Sequence, residues 1–189
     1  MFSRIIDDHL RLDVPTILDA PELFDVVERN RADLETWLTW PHVVTDVESA
    51  EAWLARDLHD WADMTRLVTL IRLDGAIIGG VHVHHLDRRA GICELGYWLD
   101  AGHRGHGITA AAVGEVHRLC FDDLGLRRVS IHCDTRNERS IALARRLGYT
   151  FEGVLRHQLA DADGTPRDET VYSLLRDEWC ATQGTSPTR

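Results

Sequence analysis

Tyr97-Trp98-Leu99-Asp100-Ala101-Gly102-His103-Arg104-Gly105-His106-Gly107-Ile108-Thr109-Ala110 is the stretch whose residue types and spacing say most about chemistry. An apolar strand ends at Leu99, a glycine-rich loop follows, and a helix begins near Ile108. Gly105 and Gly107 let the chain curl so that successive N–H groups, with the positive end of the following helix, converge on an anion. That is a cradle for a phosphate. His103 and His106 contribute only their amides to it. Glu94 is an acid within the otherwise apolar run Ile92-Cys93-Glu94-Leu95 and shares a strand face with Gly96 and Trp98. Ser140 follows Asn137 by three residues, the spacing of a helix cap and its first turn. His82, His84 and His85 look like a metal cluster, but alternation puts His85 on the opposite face and no acid or thiol stands at ligand spacing. No metal is expected.

These residues need elements to hold them. Arg4 to Val14 alternates and reads as a first strand. Asp19-Ala20-Pro21-Glu22 opens a helix with Asp19 as cap, Pro21 in the first turn and Glu22 completing a capping box. Its apolar face runs through Leu23, Val26 and Val27, and Leu34, Trp37 and Leu38 continue into a second short helix that Trp40-Pro41 ends. Thr45 or Asp46 caps the next helix, whose stripe is Ala50, Trp53, Leu54, Leu58 and Trp61. Leu67–Leu73 and Ala76–His84 form a hairpin across Asp74-Gly75, and a strand follows over Gly91–Leu99. Ile108–Phe121 is helical, Arg128–Asp134 a β-branched strand, and Asn137–Leu147 a helix closed by Gly148. Tyr149–His157 and Thr170–Arg176 read as the last strands. The order βααβββαβαββ predicts an α+β fold around a mostly antiparallel sheet.

The 189 residues suit one domain over 1–180, with Ala181–Arg189 as a frayed tail. A net charge of −10, with 21 basic residues that are all Arg, argues against nucleic acid as a partner and favours a cationic one. The absence of lysine is read as genome composition. No apolar run approaches the roughly 18 residues of a membrane span, and Met1–Asp8 turns acidic where a signal peptide is apolar. A cytoplasmic protein with no membrane partner is expected. Cys93, Cys120, Cys133 and Cys180 form no C-x-x-C pair and read as buried free thiols. Gly105, Gly107 and Ala110 also fit the dinucleotide fingerprint, with Asp134 at a plausible distance for a ribose. Against an oxidoreductase stand the five residues between Leu99 and Gly105, and the short remainder of chain after the loop.

Arg104-x-x-Gly107-x-Thr109 resembles the pyrophosphate loop of the GNAT superfamily of N-acetyltransferases, although Thr109 replaces the usual small residue. The likeness extends to Glu94-Leu95-Gly96-Tyr97-Trp98-Leu99, His103-Arg104-Gly105-His106-Gly107-Ile108, Asn137-Glu138-Arg139-Ser140, Arg146-Leu147-Gly148-Tyr149 and Phe151-Glu152-Gly153-Val154-Leu155-Arg156. These stand in the order and spacing of the ribosomal-protein (RimJ/RimL-type) branch. Weaker echoes, Leu34-x-x-Trp37-Leu38-x-Trp40 and Arg167-Asp168-x-x-x-Tyr172-Ser173-Leu174-Leu175, carry it over nearly the whole chain.

The resemblance implies a sheet splayed at a V-shaped notch, with helices on both faces. It implies acetyl-CoA as co-substrate, its pyrophosphate on the amides of Arg104, Gly105, His106, Gly107, Ile108 and Thr109. The pantetheine arm would pair with the backbone of Trp98 and Leu99 and bond Asn137, and Arg104, Arg139 or Arg145 would take the 3′-phosphate. Acetyl transfer needs a neutral amine, a held oxyanion and a proton for the thiolate. The resemblance gives Glu94 the first task, backbone amides near Tyr97 the second and Ser140 the third, no tyrosine occupying the matching helix. Trp37, Trp40 and Tyr97 would wall the acceptor site. The acceptor is a protein N-terminal α-amine, in the manner of a ribosomal protein, or a small amine. A non-catalytic acyl-CoA-binding module is the alternative from another class, and a homodimer is the commonest assembly for such a chain.

Overall fold

The computed structural model describes residues 3–161 and 163–183. Among them lie eight strands and five α-helices: β1 (Ser3–Ile5), β2 (Leu10–Asp13), α1 (Ala20–Trp37), α2 (Val47–Ala62), β3 (Leu67–Leu73), β4 (Ala76–Asp87), β5 (Ile92–Leu99), α3 (Ile108–Arg118), β6 (Arg128–Asp134), α4 (Glu138–Arg146), β7 (Thr150–Ala160), β8 (Pro166–Leu175) and α5 (Arg176–Gln183). The chain divides into two compact units, Met1–His84 with Gly96–Val116, and His85–Leu95 with His117–Arg189.

In the first unit β1, β2, β3 and β4 pair antiparallel in chain order. Asp74 and Gly75 both take positive φ, 49° and 91°, the mirror-image turn that an Asp-Gly pair favours. The core gathers Leu23, Val26, Val27 and Leu34 of α1, Leu54 of α2, Leu70, Ile77 and Trp98. Each such side chain contributes roughly 1.5–3 kcal/mol on full burial. Trp98 lies close to β4 because Gly79 leaves room: a Cβ there would meet the Trp98 carbonyl oxygen at 2.5 Å.

In the second unit β5 pairs parallel with β6 from Ile92↔Arg128 to Leu95↔Ile131, β6 pairs antiparallel with β8, and β8 with β7. Val129, Ile131, Tyr172 and Leu174 are buried. His117 packs edge-on to Trp179, and its Nε2 lies 2.6 Å from the Tyr149 hydroxyl.

Local predictions fail in four places, two of them because a side chain finds an unforeseen partner. Arg4–Val14 is two strands rather than one, since Asp7 Oδ1 accepts from the His9 and Leu10 amides and turns the chain. Leu34 and Trp37 belong to α1 itself, which runs unbroken to Trp37 before Leu38 turns extended, and the short helix that follows is a single 3-10 turn over Trp40–His42 that Trp40-Pro41 opens rather than ends. Asp19 does not cap α1. It accepts from the Thr16 amide at 2.7 Å and from Arg72 at 2.6 Å, while Glu22 accepts from Ile77 N–H at 2.7 Å instead of closing a capping box. Residues 181–183, expected in a frayed tail, belong to α5, and the rest of that tail lies outside the described residues. Cys180 on α5 is exposed, unlike the buried Cys93, Cys120 and Cys133.

Candidate active site

In the first unit the loop after β5 is anchored before it curls. Asp100 is buried, and its carboxylate accepts from Arg29 at 2.7 and 3.0 Å, from Asn30 Nδ2 at 3.1 Å and from Gly102 N–H at 3.2 Å. Asn30 Oδ1 in turn accepts from Ala101 N–H at 2.9 Å, tying the loop to α1. Burial pushes the Asp100 carboxyl up, but Arg29, Gly102 and Asn30 outweigh it and hold it below the usual carboxylate range. Gly105 and Gly107 take φ of +85° and +78°, and a Cβ at either would meet nothing within 4 Å. Conformation rather than crowding therefore demands glycine here. The first helical bond of α3 runs from Ala111 N–H to the Gly107 carbonyl at 3.0 Å. The N–H groups of Ile108, Thr109 and Ala110 have no partner within the helix, and Gly105, His106 and Gly107 beside them are exposed. Such a turn is able to present several main-chain N–H groups to an anion.

The Arg104 guanidinium forms a two-pronged ion pair with Asp33 and reaches the Leu99 carbonyl at 3.4 Å. What Arg104 offers the loop is therefore its backbone. Trp98 and Leu99 are both buried. Trp40 packs between Trp53 and Trp98, with ring centroids 5.6 Å apart in both pairs. Trp37 at the end of α1 and Tyr97 on β5 are half-buried.

In the second unit Glu94 stands opposite Ser130 of β6. Side chains alternate along a strand, so Glu94, Ser130 and His132 share a face, joined through the β6–β8 register by Glu169 and Ser173. His132 Nδ1 lies 3.3 Å from Glu169 Oε2 and 3.8 Å from Glu94 Oε2. Burial raises the Glu94 carboxyl above its ordinary range, opposed by His132 and His85 and reinforced by Glu169. Asn137 caps α4, its Oδ1 accepting from Ser140 N–H at 3.1 Å, as the spacing predicts. Ser140 is buried on the first turn of α4, and Arg139 and Arg145 are exposed along the same helix.

Sequence reasoning missed His132 and Glu169. His132 lies in no motif and Glu169 falls at an unspecified position of one, and only the β5–β6 and β6–β8 registers bring them to Glu94. Asp134, the ribose contact of the dinucleotide reading, is committed elsewhere: it is buried and accepts from Arg136, and pairs with Arg167 at 2.9 Å. Among the described residues no group of three or more His, Cys, Asp or Glu is placed to hold a metal ion, and no helix is long and apolar enough to cross a membrane.

The sequence profile of the acetyltransferase (GNAT) domain matches residues 9–150. YdaF of Bacillus subtilis (strain 168), provisionally named a ribosomal N-acetyltransferase, is 30% identical over 183 residues, covering 95% of this chain and 98% of that protein. The ribosomal-protein-serine acetyltransferase of Escherichia coli (strain K12) is 26% identical, over 82% of this chain and 86% of that one. Among solved structures, the microcin C7 self-immunity acetyltransferase MccE, in complex with acetyl-CoA and AMP, aligns with a TM-score of 0.86 at 26% identity, covering 90% and 94% of the two chains. RimL, the ribosomal L7/L12 alpha-N-protein acetyltransferase, shares the fold with a TM-score of 0.89 at 24% identity, over 94% and 99%. The chain belongs to the GNAT acetyltransferase family. It is an acyl-CoA-dependent acetyltransferase, which sets aside the oxidoreductase reading.

Proposed function

We propose that the protein moves the acetyl group of acetyl-CoA to a primary amine by direct attack, and that the amine is a protein N-terminus of the kind ribosomal proteins present. The observation that carries this reading is Glu94, a half-buried acid whose carboxyl burial raises. An α-amino group has a pKa of about 8, so it arrives largely protonated at neutral pH and must lose a proton before it can attack. A carboxylate raised toward that value is a better match for the proton than an exposed one.

In this reading the amides of Arg104 to Thr109 hold the pyrophosphate, the backbone of Trp98 and Leu99 pairs with the pantetheine arm, and the Asn137 NH2 donates to that arm. Glu94 removes the ammonium proton. The amine nitrogen attacks the thioester carbon, a backbone amide near Tyr97 holds the oxyanion, and as the C–S bond breaks the nitrogen's second proton passes to the departing thiolate through the Ser140 hydroxyl, which ends protonated as it began. Trp37, Trp40 and Tyr97 border the acceptor. A net charge of −10 favours a basic partner. Three buried free thiols fit a reducing cytoplasm.

The test is release of free thiol from acetyl-CoA against a panel of N-terminal peptides, polyamines and amino sugars. Peptides with a free α-amine are expected to give the highest kcat/KM. A panel in which only small amines react would overturn the N-terminal acceptor, and no release with any amine would overturn acetyl transfer. Ser140→Ala is expected to lower kcat about tenfold, the loss of one hydrogen bond of about 1.4 kcal/mol, with the KM for acetyl-CoA unchanged.

A further inference from the structure

The proton site contains more than Glu94, and the two side chains beside it have no part in the reaction scheme above. Groups face Glu94 from three strands: His132 from β6, Glu169 from β8 and His85 from β4. His132 also influences Glu152 on β7, which is itself tied to Arg128 and to the Ser173 hydroxyl. Glu152 therefore has its own cation, and the imidazole is left to the other two acids. Nδ1 of His132 is the ring nitrogen nearest both. At 3.3 Å it is within hydrogen-bond reach of Glu169, and at 3.8 Å it falls just short of Glu94. One N–H cannot serve two carboxylates fully, so Glu169 and Glu94 compete for it.

We propose that His132 and Glu169 are positioning residues for the base, dividing one imidazole N–H between two carboxylates so that Glu94 stays aimed and ionisable in a half-buried setting. The proposal rests on the reading of Glu94 as the base. Its physical content is a pair of opposite signs. Removing the imidazole takes away the larger of the two cations that favour the Glu94 charge, leaves His85 alone to offset burial and Glu169, and makes ionisation of Glu94 harder. Removing the Glu169 charge takes away both the repulsion and the competitor, and makes it easier. The proton path stays balanced throughout. Glu94 receives one proton from the ammonium and returns it to solvent, while His132 and Glu169 end the cycle as they began.

The experiment compares wild type, Glu169→Gln and His132→Asn, each of which keeps polar shape without the titrating group. The acidic limb of kcat/KM against pH is expected to move down by about half a unit to one unit in Glu169→Gln and up by a similar amount in His132→Asn. Carbon-13 carboxyl NMR of Glu94, without substrate, is expected to show the same two displacements. A shared loss of rate with neither limb nor resonance displaced, or displacement in one common direction, would overturn the proposal. If His132→Asn fails to fold, the Glu94 resonance in the isosteric Glu169→Gln decides alone: a titration unchanged from wild type overturns it. Failure of the base reading looks different, because Glu94→Gln would then keep wild-type kcat while the resonance of Glu94 in the other variants still reports the coupling.

Discussion

In the proposed reading the groups that meet a phosphate in the first unit are main-chain N–H groups of residues 104–109, on a loop with two glycines at positive φ and Asp100 pinned to α1. The groups that handle a proton in that reading are side chains on three strands of the second unit, Glu94, His132 and Glu169. The loop tolerates change in side chain so long as the backbone can curl. The proposed proton site depends on the ionisable groups themselves, on strands brought together from distant parts of the sequence. Donor binding and proton transfer should therefore fail separately, through different kinds of substitution.

The largest effect is expected where the side-chain half is broken. Glu94→Gln should lower kcat by about 100-fold or more, the lower range for loss of a general base, with the KM for acetyl-CoA within about twofold of wild type. Steady-state thiol release reads both.

A second effect concerns a titrating side chain of the same unit that has no catalytic part. Burial pushes His117 down to about 4. Below about 6.5 the unfolded chain takes up a proton there that the folded chain refuses, so stability should fall as pH drops from about 6.5 toward about 4. At pH 5 the loss from this residue is about 2 kcal/mol. Urea unfolding of wild type and His117→Gln between pH 5 and 7 checks it: the variant should lack this part of the slope.

Breaking the main-chain half should cost less. Gly107→Val forces a β-branched residue toward positive φ, a strain of about 1–3 kcal/mol. It should raise the KM for acetyl-CoA about tenfold with kcat near wild type. The smallest effect sharpens the division within the loop itself. Arg104 spends its guanidinium on Asp33, so Arg104→Ala should weaken donor affinity by less than about threefold, within the range of an exposed ion pair. A loss comparable to that of Gly107→Val would mean that the side chain, not the amide, meets the phosphate.

The same division explains what could be read in the sequence. The curl of the loop is local, since Gly105, Gly107 and the onset of α3 at Ile108 read from their neighbours, as do β6 and the Asn137 cap, whereas the anchoring of the loop to Arg29, Asn30 and Asp33 of α1 is not. The proton site is non-local. Glu94 was legible through its motif, but His132 and Glu169 acquire meaning only when Glu94 stands against Ser130 and Glu169 against Asp134. No periodicity within a single strand carries that register. The errors at Asp19 and Glu22 have the same origin. Both look like caps locally, yet both are drawn to partners more than 50 residues away, Arg72 and Ile77.

Calorimetric titration of acetyl-CoA into Gly107→Val and Glu94→Gln, side by side with wild type, tests this separation most directly. Glu94→Gln should bind with wild-type heat and affinity, and Gly107→Val should bind about tenfold more weakly. Undiminished binding by Gly107→Val, or lost binding by Glu94→Gln, would contradict a donor held by the main chain of the loop and a proton handled by Glu94.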